Sequence, residues 1–70
     1  MTFGKRIKRF RLSNDLSLAD LAAKVGVSDA TINRWENGVM DAKICYVIPL
    51  CKALGITPNE LLGWKAGDPQ

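Results

Sequence analysis

Leu18–Gly38 reads LADLAAKVGVSDATINRWENG, and this stretch decides the architecture of the 70-residue chain. Its first half has apolar residues at helical spacing, Leu18, Leu21, Ala22 and Val25, and stops at Gly26. Ser17 stands just ahead as an N-cap, with Asp20 three residues on in the acid position of a capping box. Gly26 can take the positive φ that ends a helix cheaply. Ser28 then caps a second helix, which carries Ile32 and Trp35 and ends at Asn37-Gly38. Only Gly26-Val27-Ser28 joins the two. That connection is too short for side-by-side antiparallel packing, so the helices must cross steeply. Ala22 is small where they come closest, and Leu21, Val25, Val27, Ile32 and Trp35 face the remaining core.

Working outward, helical periodicity accounts for nearly all of the chain, and no window alternates as a strand. A first helix is expected from Thr2 or Phe3 to about Asn14, with Phe3, Ile7 and Phe10 on one side. After a connection from Val39 to Lys43, a fourth helix is expected over Ile44–Leu54, ended by Gly55. Pro49 within it implies either a kink or a later start near Val47. Thr57-Pro58 opens a short fifth helix with proline at its first position. Five short helices with tight turns define a compact all-α fold, with one domain over 1–63 and a C-terminal tail over 64–70.

Composition narrows the function. Hydrophobic residues make up 47% and charged residues 24% of the chain, the balance of a globular protein. No apolar run approaches the roughly 20 residues of a membrane span, nor the roughly 7–15 residues of a signal-peptide core. The two cysteines, Cys45 and Cys51, are too few for a disulfide framework. On one helix they project about 120° apart, so both read as small buried apolar residues of a reducing compartment. Histidine is absent, which argues against a zinc site and against common acid–base chemistry; no cofactor, metal or small-molecule ligand is expected. The net charge is +3, and five cations, Lys5, Arg6, Lys8, Arg9 and Arg11, fall in the first eleven residues without an acid. Such a cluster is either a solvated helix face or a phosphate-contacting footprint.

The third helix separates by angle into two sides. At about 100° per residue, Ile32 and Trp35 lie about 60° apart, with Thr31 beside them. Asp29, Ala30, Asn33, Arg34 and Asn37 occupy roughly 140° on the opposite side. That side is small or polar throughout, with amide and guanidinium groups able to form paired hydrogen bonds to base edges. It suits a major-groove reader, and it also suits an ordinary solvated face. The short turn and the basic first helix favour the reader.

GKRIKRFR, LSLADLAAKVGVSDATINRWENG and LCKALGITPNELL together resemble the helix-turn-helix domains of the Cro and lambda-repressor type, the XRE family. The resemblance covers Phe3 to about Gly63, and proteins of this class are themselves the standard illustration of the docking geometry. It implies sequence-specific binding of double-stranded DNA by a cytoplasmic, nucleoid-associated bacterial or phage regulator, with Ser28–Asn37 as the recognition helix. Asp29, Ala30, Asn33 and Arg34 would stand at base-contacting positions. Ser17, Leu18, Thr31, Asn37 and Lys43 would face phosphates. Arg11 and Glu36 match a family pair that bridges the first and third helices, which removes Arg11 from the DNA-contacting cluster.

Two positions depart from the family pattern. Leu18 replaces a common phosphate-binding glutamine, leaving backbone N–H groups for that task. Asp29 stands where Gln, Arg or Lys is common. It reads a cytosine, or stabilises the helix dipole by about 0.3–1 kcal/mol, or signals that DNA is not the main partner. A homodimer on a near-palindromic operator is the expected assembly, with the C-terminal helix and Trp64 as candidate contacts. The rival reading is a protein-interaction module such as an antitoxin or anti-repressor that keeps the fold.

Overall fold

A computed structural model describes residues 2–63, which form five α-helices and no strand. They are α1 Phe3–Ser13, α2 Leu18–Val25, α3 Asp29–Glu36, α4 Val47–Leu54 and α5 Pro58–Leu62. A 3-10 turn, Ile44–Tyr46, leads into α4.

Four helices begin where a hydroxyl accepts a first-turn N–H that would otherwise lack a partner. Thr2 accepts from Lys5 N, Ser17 from Asp20 N, Ser28 from Thr31 N, and Thr57 from Glu60 N. At α2 the box is closed, because Ser17 N also donates to Asp20 Oδ2 at 3.0 Å. These hydrogen bonds from Ser17, backbone first, hold the Asp20 carboxyl below its ordinary pKa. Its folded pKa therefore lies under the unfolded one of about 3.9. The stabilisation is present above the unfolded value and is lost as pH falls through the lowered one. Ser17→Ala is expected to cost about 1 kcal/mol in urea denaturation at neutral pH. Asp20→Ala should flatten the decline of the urea midpoint on acidification; an unchanged acid slope would remove Asp20 from this role.

α4 is the exception. It has no side-chain cap and starts at Val47, the later of the two expected positions. Pro49 is then its third residue, inside the first turn, where a missing N–H breaks no intrahelical bond. The three residues ahead of it wind as a tighter 3-10 turn, and this changes which side chains face inward. Cys51 is buried as expected, and burial raises its thiol pKa, with a smaller contribution from Glu60. Cys45 is not. It lies in the 3-10 turn rather than on the α-helix and is exposed, which corrects the expectation of two buried thiols.

Each helix contributes to one core: Ile7 from α1, Leu21 and Ala22 from α2, Ile32 and Trp35 from α3, Leu50, Cys51 and Leu54 from α4, and Leu61 from α5. Val25 and Val27 are only partly buried against it. Trp35 also packs on Tyr46, with ring centroids 5.2 Å apart. Leu62 is exposed, whereas Trp64 and the rest of the expected tail lie outside the described residues.

Candidate nucleic-acid interface

The position of α3 follows from the turn before it and from α1 behind it. Gly26 adopts φ 90°, and Val27 N reaches back to Ala22 O at 3.0 Å, ending α2 and redirecting the chain. Ala22 is 3% exposed, so α2 and α3 pack without a large side chain between them. Behind α3, Gly4 of α1 lies so near the last turn that a Cβ there would stand 2.9 Å from Glu36 O and nearer still to Trp35 O. Arg11 completes the attachment. Its Nε donates to Glu36 Oε2 at 2.6 Å, Nη2 to Glu36 Oε1 at 3.1 Å, and Nη1 to Leu16 O at 2.9 Å. The bond to Glu36 raises the Arg11 pKa, outweighing the opposing effect of desolvation. Arg11 is thus a buried strut and not part of the exposed basic face.

With Ile32 and Trp35 buried, Asp29, Ala30, Asn33, Arg34 and Asn37 share the outer face and are all exposed. Asp29 is not a free carboxylate, since its Oδ1 accepts from Ala30 N at 2.8 Å, one of the unpaired donors of the first turn. Asn37 Nδ2 donates to Asn33 Oδ1 one turn away, joining the two amides on the surface. The helix then closes with Gly38 at φ 73° and with Val39 N donating to Arg34 O at 3.0 Å.

The residues expected at phosphates surround this face unevenly. Thr31 is half-buried; its hydroxyl lies 2.9 Å from Ser28 Oγ. With Trp35, Met40, Asp41, Lys43 and Tyr46 it lines a cleft of about 240 Å³ under the start of the connection to α4. Lys43 is exposed at the head of the 3-10 turn. Ser17 is exposed, but its hydroxyl is committed to Asp20 N. Leu18 packs its side chain against the core, so only its backbone N–H is available. Arg34 and Lys43 bring two cations to this surface, against the two carboxylates of Asp29 and Asp41. The α1 cations Lys5, Lys8 and Arg9 are exposed on a separate helix.

The helix-turn-helix family profile matches residues 7–61, which span the core, the Gly26 turn and the whole of α3. The chain belongs to the helix-turn-helix family. Among solved structures, the P22 c2 repressor in complex with synthetic operator 9T superposes with a TM-score of 0.83 at 32% identity, covering 97% of this chain and 98% of that one. A Methanosarcina barkeri protein named, by inference, as an HTH-type transcriptional regulatory protein is 40% identical over 53 residues, 76% of this chain. The antitoxin PezA of Streptococcus pneumoniae is 28% identical over 60 residues, 86% of this chain. The helix-turn-helix chain spans only 16% of the M. barkeri protein and 38% of PezA. Among the described residues no helix is long and apolar enough to cross a membrane.

Proposed function

We propose that this helix-turn-helix chain is a sequence-specific double-stranded DNA-binding transcriptional regulator, acting as a repressor, with α3 in the major groove. The observation that carries the reading is the outer face of α3. It is exposed and small or polar throughout, and a buried opposite face and a buried ion pair hold it in place. The overlap with a repressor solved on its operator supports the same assignment.

Within it, Arg34 offers paired donors suited to guanine O6 and N7, and Ala30 offers a methyl group for thymine. Asn33 reads a third base edge. Asp29 belongs with the base-contacting residues by position, but its bond to Ala30 N supports the dipole role; cytosine would have to use its other oxygen. Asn37, Lys43, Thr31 and the amino end of α2 at Ser17 and Leu18 contact phosphates, the last through the Leu18 N–H, since Ser17 N already donates to Asp20 Oδ2. The Asp20 carboxylate beside that N–H group weakens that last contact.

One α3 is a single small reading unit. The operator is therefore near-palindromic, with half-sites about 34 Å apart, and is bound by a homodimer. The test is selection of duplexes from a random-sequence library at near-physiological salt, followed by sequencing. A two-fold symmetric motif is the expected result. Arg34→Ala should relax preference at one position, costing about 1–3 kcal/mol on the preferred site, while Lys43→Ala should weaken all sequences alike and lower the salt slope by about 1. Equal losses on every sequence for Arg34→Ala would count against this orientation of α3.

The PezA match supports one alternative, a protein-binding module of the antitoxin kind. Salt separates them. Affinity for DNA falls steeply with added salt through counterion release, whereas an apolar protein contact changes little.

A further inference from the structure

The bond between Asn33 and Asn37 has a consequence for which base Asn33 can read. A free asparagine amide pairs with adenine, using its oxygen for N6–H and its N–H for N7. In this chain Asn33 Oδ1 already accepts from Asn37 Nδ2. The same two residues are joined through the backbone, Asn37 N donating to Asn33 O at 3.0 Å. Asn37 keeps helical dihedrals, φ −90° and ψ 0°, so its side chain stays in register one turn along the same face. The oxygen of Asn33 is held along the helix, and its Nδ2 is the end left for the groove.

We infer that Asn37 is a positioning residue that turns the Asn33 oxygen along the helix, out of the bidentate adenine geometry, and leaves its Nδ2 to favour a base edge rich in acceptors. Guanine, with N7 and O6 both accepting in the major groove, matches two amide hydrogens best; adenine presents its own donor at N6. The second hydrogen of Asn37 Nδ2 remains for a phosphate, so the amide pair links a backbone contact to a base contact. Removing Asn37 frees Asn33 Oδ1 and allows the bidentate adenine geometry.

This inference rests on the proposed DNA-reading function. Its experiment is duplex selection run in parallel on the wild-type chain, Asn33→Ala and Asn37→Ala, at one salt concentration, with circular dichroism to confirm that each variant is helical. Asn33→Ala identifies the relevant base position as the one whose preference flattens. At that position the wild type should favour guanine, and Asn37→Ala should shift the preference toward adenine by about tenfold, leaving other positions unchanged. An unaltered preference there in Asn37→Ala, whatever the change in overall affinity, overturns the inference and leaves Asn37 a phosphate contact only. Adenine favoured already in the wild type also overturns it. A wild-type selection without any motif instead removes the DNA-reading proposal itself, and this inference with it.

Discussion

A single methyl group added at Gly4 is expected to destabilise the fold by about 3 kcal/mol, at the upper end of ordinary overpacking costs. Local propensity argues the other way, since alanine is favoured over glycine by about 1 kcal/mol within a helix. Packing decides the sign. The new Cβ would meet the carbonyl oxygens of Trp35 and Glu36, which are backbone atoms and cannot rotate aside. The last turn of α3 cannot shift freely either, being held by Arg11 and by the Gly38 turn. The helices α1 and α3 would have to part, loosening the contacts of Ile7, Ile32 and Trp35, which are at most 3% exposed. For domains of this size 1 kcal/mol corresponds to roughly 4–8 °C, so the thermal midpoint should drop by roughly 12–24 °C. A Gly4→Ala variant that melts at or above the wild-type temperature would mean that α1 and α3 are not so closely apposed.

Gly4 also illustrates what sequence reading can reach. The starts and stops of the helices were legible because their causes are local: Ser17 with Asp20, Ser28, Gly26, Gly55 and Thr57-Pro58 each act within a few residues. The outer face of α3 was legible for the same reason, as an angular pattern on eight residues. Pro49 left two starts open, and first-turn geometry selected the later one. What stayed hidden depends on residues distant in sequence. Gly4 reads as a weak helix former until Trp35 and Glu36 are placed against it. Asn14 Nδ2 donates to Leu54 O, 40 residues away, tying the end of α1 to the end of α4, and no local signal announces it. Asp15 adopts φ 56°, the left-handed conformation usually left to glycine, while Leu16 N turns back to Arg11 O. The pairing of Arg11 with Glu36 came from family resemblance alone. Asn33 with Asn37 is a different kind of omission. Their spacing of four on a polar face is visible in the sequence, but it does not distinguish two separate contacts from a shared bond.

The second large effect concerns the strut between α1 and α3. The side chains of Arg11 and Glu36 are only 10% and 5% exposed, and the guanidinium makes two bonds to the carboxylate plus one to Leu16 O. Arg11→Met leaves the Glu36 carboxylate out of water without a counter-charge, and Glu36→Leu strands the guanidinium in the same way. Breaking a buried pair from one side costs about 3–5 kcal/mol; the residual exposure places these variants near the lower figure. Arg11→Lys keeps the charge but not the planar fork, and should fall between Arg11→Met and the wild type. The double variant Arg11→Met/Glu36→Leu removes both desolvation penalties and replaces them with apolar contact, so it should recover most of the loss. Urea denaturation of all four members of the cycle gives the coupling energy directly. Additive losses in the double variant would mean that the two charges are not coupled, leaving the bond to Leu16 O, which both Arg11→Met members of the cycle lose, as the attachment made by Arg11. A recovered double variant would show that the charges themselves are dispensable for stability. Their remaining contribution would then be directional, because a fork that donates to Glu36 in one orientation limits how α3 can rotate about its own axis. That rotation decides which of Ala30, Asn33 and Arg34 faces outward, so duplex selection on the stable double variant should return a blurred motif.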